Sequence, residues 1–443
     1  MYTWNNKIDI QYRDQKVLYI NPEKGTWLKS NNKVKEVLDD IVSGDNLMNI
    51  PATQKYQIVE RFYGAGILVK DGVEEPKQSN YIKSLYLVVT KRCNLSCNFC
   101  AMESNSTTPF EQLKIEELKS IVNKFKGYKI GNLIITGGEP FFRKDIFEII
   151  DYIHEHINTK VTVCTNGLLL NQEKINRIKG KVRRIDMSVE NLLVDGNKKD
   201  IEKMIKVFDI LKQNKIKFSL SYVLTKENQN RVFQFLNLAH QYDTLFSLKT
   251  VKPMGNAKGN EDLFFTGKEV SAIYYKIFEY IYSQKFQSEP FQRFLIQPLI
   301  PAYSCSAKGK MLSVYTDGSV YSCHSLSYPE FSTGNVLQEE VPSLMKTSSI
   351  MVRSSLYHKS FDINERNGCR NCEIRYFCQG YCFAELYDNQ DSIHSLPPEC
   401  GIKKAIISFN LWQYNAESSF LDNLELFLKN YDALSDNKIV LTL

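Results

Sequence analysis

The stretch Leu85–Cys100, LYLVVTKRCNLSCNFC, decides how the rest of the chain is read. Its first half is apolar and β-branched, and predicts a strand over Ser84–Thr90. Its second half sets Cys93, Cys97 and Cys100 in a C-x3-C-x2-C pattern on one short loop. Three thiolates so close in sequence converge on one inorganic centre. Three ligands leave one corner of a four-iron cluster open, and an open metal position is where a small molecule binds. A zinc knuckle without an obvious fourth ligand is the competing reading.

Working outward, the chain alternates strand and helix from about residue 81 to 260. Further strands are expected at Asn132–Thr136, Lys160–Thr165, Val182–Val189, Lys217–Val223 and Phe246–Val251. Helix-length stretches such as Lys114–Lys126, Lys144–His156 and Ile201–Gln213 lie between them. Repeated βα units imply parallel strands with helices outside. Eight units close a barrel, so six predict an open, partial (β/α)6 barrel in an α/β protein. Chemistry in such folds sits at the carboxyl ends of the strands, where the cysteine loop falls.

The net charge of +6, on 56 basic and 50 acidic side chains, has no dense basic block, so nucleic acid is not an expected partner. No apolar stretch is long enough to span a membrane, and the N-terminus lacks a signal-peptide pattern; a cytoplasmic location is expected. Disulfides are rare there, so 11 cysteines suggest metal sites or catalysis. Seven of them fall between residues 295 and 405: Cys305, Cys323, Cys369, Cys372, Cys378, Cys382 and Cys400. Their pattern is C-x12-G-x4-C, then C-x2-C-x5-C-x3-C, then a distant C. Gly318 lies in the hairpin-like turn YTDGSVYSC. A double zinc ribbon is the alternative reading. Cys164 reads as a buried core thiol. His324 and His394 read as surface or supporting residues rather than ligands.

The loop spacing, with Phe99 before the third cysteine, resembles the radical S-adenosylmethionine (SAM) superfamily. That resemblance implies that Cys93, Cys97 and Cys100 hold a [4Fe–4S] cluster whose open iron chelates SAM. A 5′-deoxyadenosyl radical then abstracts a hydrogen atom. It also implies that Gly137-Gly138-Glu139-Pro140, after strand NLIIT, meets the SAM amino group; glycines allow close backbone approach and a carboxylate suits an ammonium. Thr165 and Asn166 at one strand end, and Ser188 and Glu190 at the next, would contact the ribose and carboxylate. Pro253–Ala257, PMGNA, is similar to the family's turn near the adenine. The seven later cysteines resemble the SPASM extension. By that likeness Cys369, Cys372, Cys378 and Cys400 would hold one auxiliary [4Fe–4S] cluster, and Cys305, Cys323 and Cys382 another. Three clusters are thus expected. Some relatives add a cysteine upstream; QPLIPAYSC offers none before Cys305, leaving the inner cluster with an open iron or a non-cysteine ligand.

Residues 1–80, with LYINPEKGTWLKSN, a helix pair and a GILVK wing, resemble the winged-helix, PqqD-like leader-recognition element of peptide-modifying enzymes. YRDQKVLYIN is read as one strand and TWLKS as another. Helices are expected over Asn32–Ile41 and Pro51–Tyr63, with a linker at Glu74–Asn80. Such modules add a leader peptide to a sheet edge. The implied organisation is a recognition module over 1–80, a barrel with a bridging helix over 81–294, a SPASM domain over 295–405 and a helical tail over 406–443. The implied activity is modification of a ribosomally made precursor peptide bearing a leader, forming a thioether or carbon–carbon cross-link, with a flavodoxin- or ferredoxin-type electron donor. Sulfatase maturases, which form formylglycine, share the SPASM cysteines but carry an aspartate where His324 stands, and usually lack the N-terminal module. A non-catalytic zinc protein is the third reading.

Overall fold

The computed structural model describes residues 2–45, 50–70, 80–108, 113–193, 198–303, 305, 307, 309–351, 363–380, 382, 384 and 396–435. Most of the linker Glu74–Asn80, and His394, fall outside them.

The N-terminal segment comprises β1 (Tyr2–Trp4), β2 (Asp9–Arg13), β3 (Lys16–Asn21), β4 (Thr26–Asn31), α1 (Asn32–Ser43), α2 (Ala52–Gly64) and β5 (Leu68–Lys70). Strands β2, β3 and β4 form an antiparallel sheet, while β5 pairs with β1. The stretch read as one strand, YRDQKVLYIN, is two: Asp14 takes a left-handed conformation, φ 54°, and turns the chain between Arg13 and Lys16. Asn31 starts α1 by accepting from Val34 N at 3.0 Å, and Gly44 ends it at φ 80°.

Strand β3 is buried on both faces. Val17 and Tyr19 pack with Leu38, Phe62 and Ile67 from the helical side. Leu18 and Ile20, on the opposite face by strand alternation, pack with Ile374 and Phe377 of the cysteine-rich region and with Leu411 and Trp412 of the tail. Polar contacts lock this docking. Trp27 Nε1 donates to Leu299 O at 2.8 Å, Gln11 Nε2 donates to Glu373 O at 2.8 Å, and Arg375 pairs with Asp9 at 3.0 Å.

The central body runs β6 (Tyr81–Val88), α3 (Ile115–Lys124), β7 (Lys129–Thr136), α4 (Ile146–His156), β8 (Val161–Thr165), α5 (Gln172–Ile178), β9 (Val182–Ser188), α6 (Lys198–Gln213), β10 (Phe218–Leu224), α7 (Val232–Tyr242) and β11 (Leu245–Thr250). The six strands lie in sequence order and are parallel throughout. The expected six βα units are therefore present. Their outer faces, such as Leu85, Ile135, Ile185 and Leu220, join the helices in one large core.

Beyond β11 come α8 (Gly267–Ser283), α9 (Glu289–Leu295), β12 (Met311–Val314), β13 (Ser319–Tyr321), β14 (Ser332–Asn335), α10 (Val341–Met351), α11 (Cys400–Ser408) and α12 (Phe420–Lys429). Strand β12 pairs in parallel with β6, and β13 and β14 follow antiparallel, so the sheet has nine strands and continues past residue 295. Gly318, φ 82°, makes the β12–β13 turn. The expected helical tail comes in pieces: a π-helical turn over Phe409–Gln413 follows α11, and Ser419 caps α12 in a capping box with Asp422. No described helix is long and apolar enough to cross a membrane.

Candidate active site

The cysteine loop leaves β6 at its carboxyl end and crosses directly over the end of β7. Gly138 N donates to Thr90 O and Glu139 N to Arg92 O, both at 2.8 Å. A Cβ at Gly138 would lie 2.3 Å from Arg92 O, and one at Gly137, whose φ is 150°, 2.2 Å from Thr90 O. The paired glycines thus admit the cysteine-loop backbone. Gly255 does the same from the other side: a Cβ there would meet Cys100 O at 2.3 Å, while Asn256 Nδ2 donates to Cys97 O at 2.8 Å. The turns GGEP and PMGNA, far apart in sequence, clamp one loop between them.

Glu139 is fully buried. Its carboxylate accepts from Phe141 N at 3.0 Å, Asn166 N at 2.8 Å and Thr165 Oγ1 at 2.8 Å. Burial raises its pKa, and these bonds oppose the rise. Both oxygens are spent within the protein, so the side chain pins the end of β7 to the end of β8. Asn166 bridges onward, donating to Asn94 Oδ1 at 3.0 Å. Pro140 is buried and opens a 3-10 turn after Glu139. Ser188 is exposed at the end of β9. Glu190, 5% exposed, has one carboxylate oxygen, Oε2, with no hydrogen-bond partner. Burial pushes its pKa up to about 7. Phe99 lies against Val251, Ala257 and Leu263.

The loop thiols collect N–H donors. Asn191 Nδ2 donates to Cys97 Sγ at 2.7 Å, and Leu95 N to Cys93 Sγ at 3.4 Å. Burial pushes the Cys97 thiol up to about 12, so only a bound cation makes it a thiolate at neutral pH. Buried sulfurs supplied with N–H donors, beside the orphan oxygen of Glu190, fit an iron–sulfur centre and a polar ligand. Asn191 was missed in the sequence, though it directly follows Glu190.

The later cysteines fall into two groups. Cys369, Cys372 and Cys378 pack against the apolar cluster that joins the N-terminal sheet to the cysteine-rich region, and Cys400, its thiol pushed up to about 11 by burial, lies near those three and Lys404. Cys305, Cys323 and Cys382 pack with Met254, Leu326 and Phe331. Among the described residues no three such side chains already converge at metal-ligand distance. Cys164 stands on β8 apart from all three groups, with its thiol pushed up to about 12 by burial.

A cavity of about 560 Å³ joins the cysteine loop to the inner cysteine group. Phe99 and Ala101 line one side and His324 and Cys382 another. His324 is part-buried. It stacks on Tyr86 of β6, ring centroids 4.4 Å apart, and burial lowers its pKa to about 4, leaving it neutral.

Residues 87–239 match the radical SAM superfamily. Over 331 residues the chain is 22% identical to the mycofactocin maturase MftC of Mycolicibacterium smegmatis, covering 70% of this chain and 81% of that one. Over 330 residues it is 24% identical to the AdoMet-dependent heme synthase of Methanosarcina barkeri, covering 68% and 90%. In structure it resembles anSMEcpe with bound AdoMet, TM-score 0.59 at 17% identity over 80% of this chain and 98% of that one. It also resembles Streptococcus suis SuiB bound to S-adenosylmethionine, TM-score 0.53 at 15% identity over 89% and 100%. These likenesses establish a shared fold.

Proposed function

We propose that this chain, an enzyme with a radical SAM domain over residues 87–239, modifies a ribosomally made precursor peptide, forming a thioether or carbon–carbon cross-link. The observation that carries the proposal is the cavity between the cysteine loop and the inner cysteine group. A peptide residue seated there touches both. Relatives support a peptide substrate: MftC is named a mycofactocin maturase, and one SuiB structure has its precursor peptide SuiA bound.

In this reading Cys93, Cys97 and Cys100 hold the SAM-binding [4Fe–4S] cluster. Cys369, Cys372, Cys378 and Cys400 hold the outer auxiliary cluster, and Cys305, Cys323 and Cys382 the inner one. When bound, the first cluster and SAM supply the 5′-deoxyadenosyl radical that abstracts a hydrogen atom. The chain's own residues bind and orient. Asn191 and Asn166 hold the loop thiols, Glu139 fixes the loop against β7 and β8, and the free oxygen of Glu190 together with Ser188 faces the cofactor's polar groups. Phe99, Val223 and Met254 supply apolar walls that exclude water. The inner group, lacking an upstream cysteine, keeps an open position beside the cavity. A flavodoxin- or ferredoxin-type donor delivers electrons, and the N-terminal sheet takes the leader along an edge.

Anaerobic co-expression with a leader-bearing peptide, should the neighbouring DNA encode one, tests this. The expected result is 5′-deoxyadenosine, about 12 irons per chain and a peptide lighter by about two hydrogens per cross-link. A purified protein holding zinc, or an unmodified peptide, refutes it.

A further inference from the structure

The face of the parallel sheet turned away from its helices carries charge. On β10, Leu220 and Tyr222 turn toward the helices, Tyr222 meeting Phe235 of α7 at 5.0 Å between ring centroids. Ser221 and Val223 therefore face the other way, as do their register partners on β11, Ser247 and Lys249. Arg184 and Asp186 of β9 pair with each other there, and Ser219 also donates to Asp186. Lys249 has no carboxylate within ion-pair distance among the described residues. Lys403 of α11 enters the same cavity and likewise has none. Lys252 and Glu399 complete the charge of the lining, and these two pair with each other. Among the described residues, Lys249 and Lys403 thus stand beside a single carboxylate, which Lys252 already holds.

Two polar atoms in the lining also lack partners. Thr250 is 6% exposed and its Oγ1 makes no hydrogen bond. Glu399 is 7% exposed; Lys252 takes Oε1, and Oε2 makes none. A buried polar atom without a partner costs on the order of 1–3 kcal/mol, so a site that keeps two of them beside uncompensated cations is built for a ligand.

We infer that this cavity recognises a carboxylate-bearing residue of the substrate peptide: an aspartate, a glutamate or a C-terminal residue. Lys249 and Lys403 pair with the carboxylate. Glu399 Oε2 accepts the N–H of the adjoining peptide bond. SAM's own carboxylate is a poorer occupant, because Lys249 lies two strands from the end of β9, roughly 10 Å at the usual strand spacing. The inference rests on reading this cavity as the peptide's reaction chamber.

The test uses the reconstituted holoenzyme with SAM and two blocked tripeptides, acetyl-Gly-Asp-Gly-amide and acetyl-Gly-Asn-Gly-amide, whose binding is measured by saturation-transfer NMR. The aspartyl peptide is expected to bind about tenfold tighter or more, as charge-assisted hydrogen bonds do. In the Lys249→Met, Lys403→Met double variant the ratio falls to within about twofold, and Lys249→Arg with Lys403→Arg restores it. SAM affinity, by equilibrium dialysis, stays unchanged in all three. Equal binding of the two peptides by the wild-type protein overturns the inference, and so does loss of SAM binding in the Met variant, which assigns the lysines to the cofactor. A cross-linked precursor with no Asp/Asn discrimination sinks this inference alone. Discrimination with an unmodified precursor sinks the cross-linking function instead.

Discussion

Replacing Gly138 by alanine probes the crossing on which the cysteine loop depends. The new Cβ would sit 2.3 Å from Arg92 O, 2.6 Å from Arg92 C and 2.8 Å from Lys91 O, all backbone atoms. Ordinary contact begins near 3.4 Å, so the loop must retreat by about 1 Å. Two hydrogen bonds of 2.8 Å bridge the same gap and break with it. At about 1 kcal/mol each, plus the cost of buried groups left unpaired, the loss is about 2–4 kcal/mol. Function suffers more. Cys93 follows Arg92 directly, and metal ligands tolerate about 0.2 Å of misplacement. A shift five times larger empties the first site, lowering iron from about 12 to about 8 per chain. It also cuts 5′-deoxyadenosine formation by about 100-fold, the penalty typical of a 1 Å misplacement. The assay is anaerobic purification, iron analysis and the initial rate with excess SAM and dithionite. Gly64→Ala is the control: nothing lies within 4 Å of its added Cβ, and its backbone needs no positive φ. It should match the parent or gain up to about 1 kcal/mol. Full iron and full rate in Gly138→Ala refutes the reasoning.

Glu190→Gln changes how stability depends on pH. The folded pKa of about 7 lies above the ordinary 4.5, so the unfolded state ionises first as pH rises. Stability is lost between about pH 4.5 and 7 and is flat above. Without SAM, the variant should equal the parent near pH 4.5 and exceed it by up to about 3 kcal/mol at pH 8; parallel urea-denaturation curves at both pH values would contradict this. Trp27→Ala removes an indole that bonds Leu299 O and meets Phe377 edge-on at 5.8 Å between centroids. A loss of about 2–4 kcal/mol is expected, with faster proteolysis of the N-terminal sheet; an unchanged cleavage rate shows the docking held elsewhere. Cys164→Ala should retain all iron, whereas Cys97→Ala should lose about four. Iron loss in the former would place Cys164 among the ligands.

Local pattern made much of this legible. Strands such as Asn132–Thr136 and Val182–Val189 announce themselves by β-branched runs, and the helices between them by their length, so the six βα units emerge within a residue or three of their observed bounds. The grouping of Cys369, Cys372, Cys378 and Cys400 apart from Cys305, Cys323 and Cys382 is what the resemblance implies; in the fold Cys369, Cys372 and Cys378 line one apolar cluster and Cys305, Cys323 and Cys382 another. Glu139 was placed correctly in the chain, yet which way its carboxylate faces depends on Thr165 and the backbone of Asn166, more than 25 residues on. The split of YRDQKVLYIN at Asp14 escaped notice because Asp-Gln is a weak turn signal.

By itself, then, the sequence determined the strand and helix periods, the three thiols on one loop and the paired glycines after the second strand, because each is a property of a few consecutive residues. The tertiary structure decided what those pieces face. It set β12 beside β6, buried both sides of β3 against different neighbours, and drew residues around 99, 250, 324 and 400 into one cavity. A lysine such as Lys249 reads in sequence like any solvent-facing strand residue. Its place on the sheet face turned away from the helices follows from which strands pair and which faces the helices cover, and packing across the whole chain sets that choice.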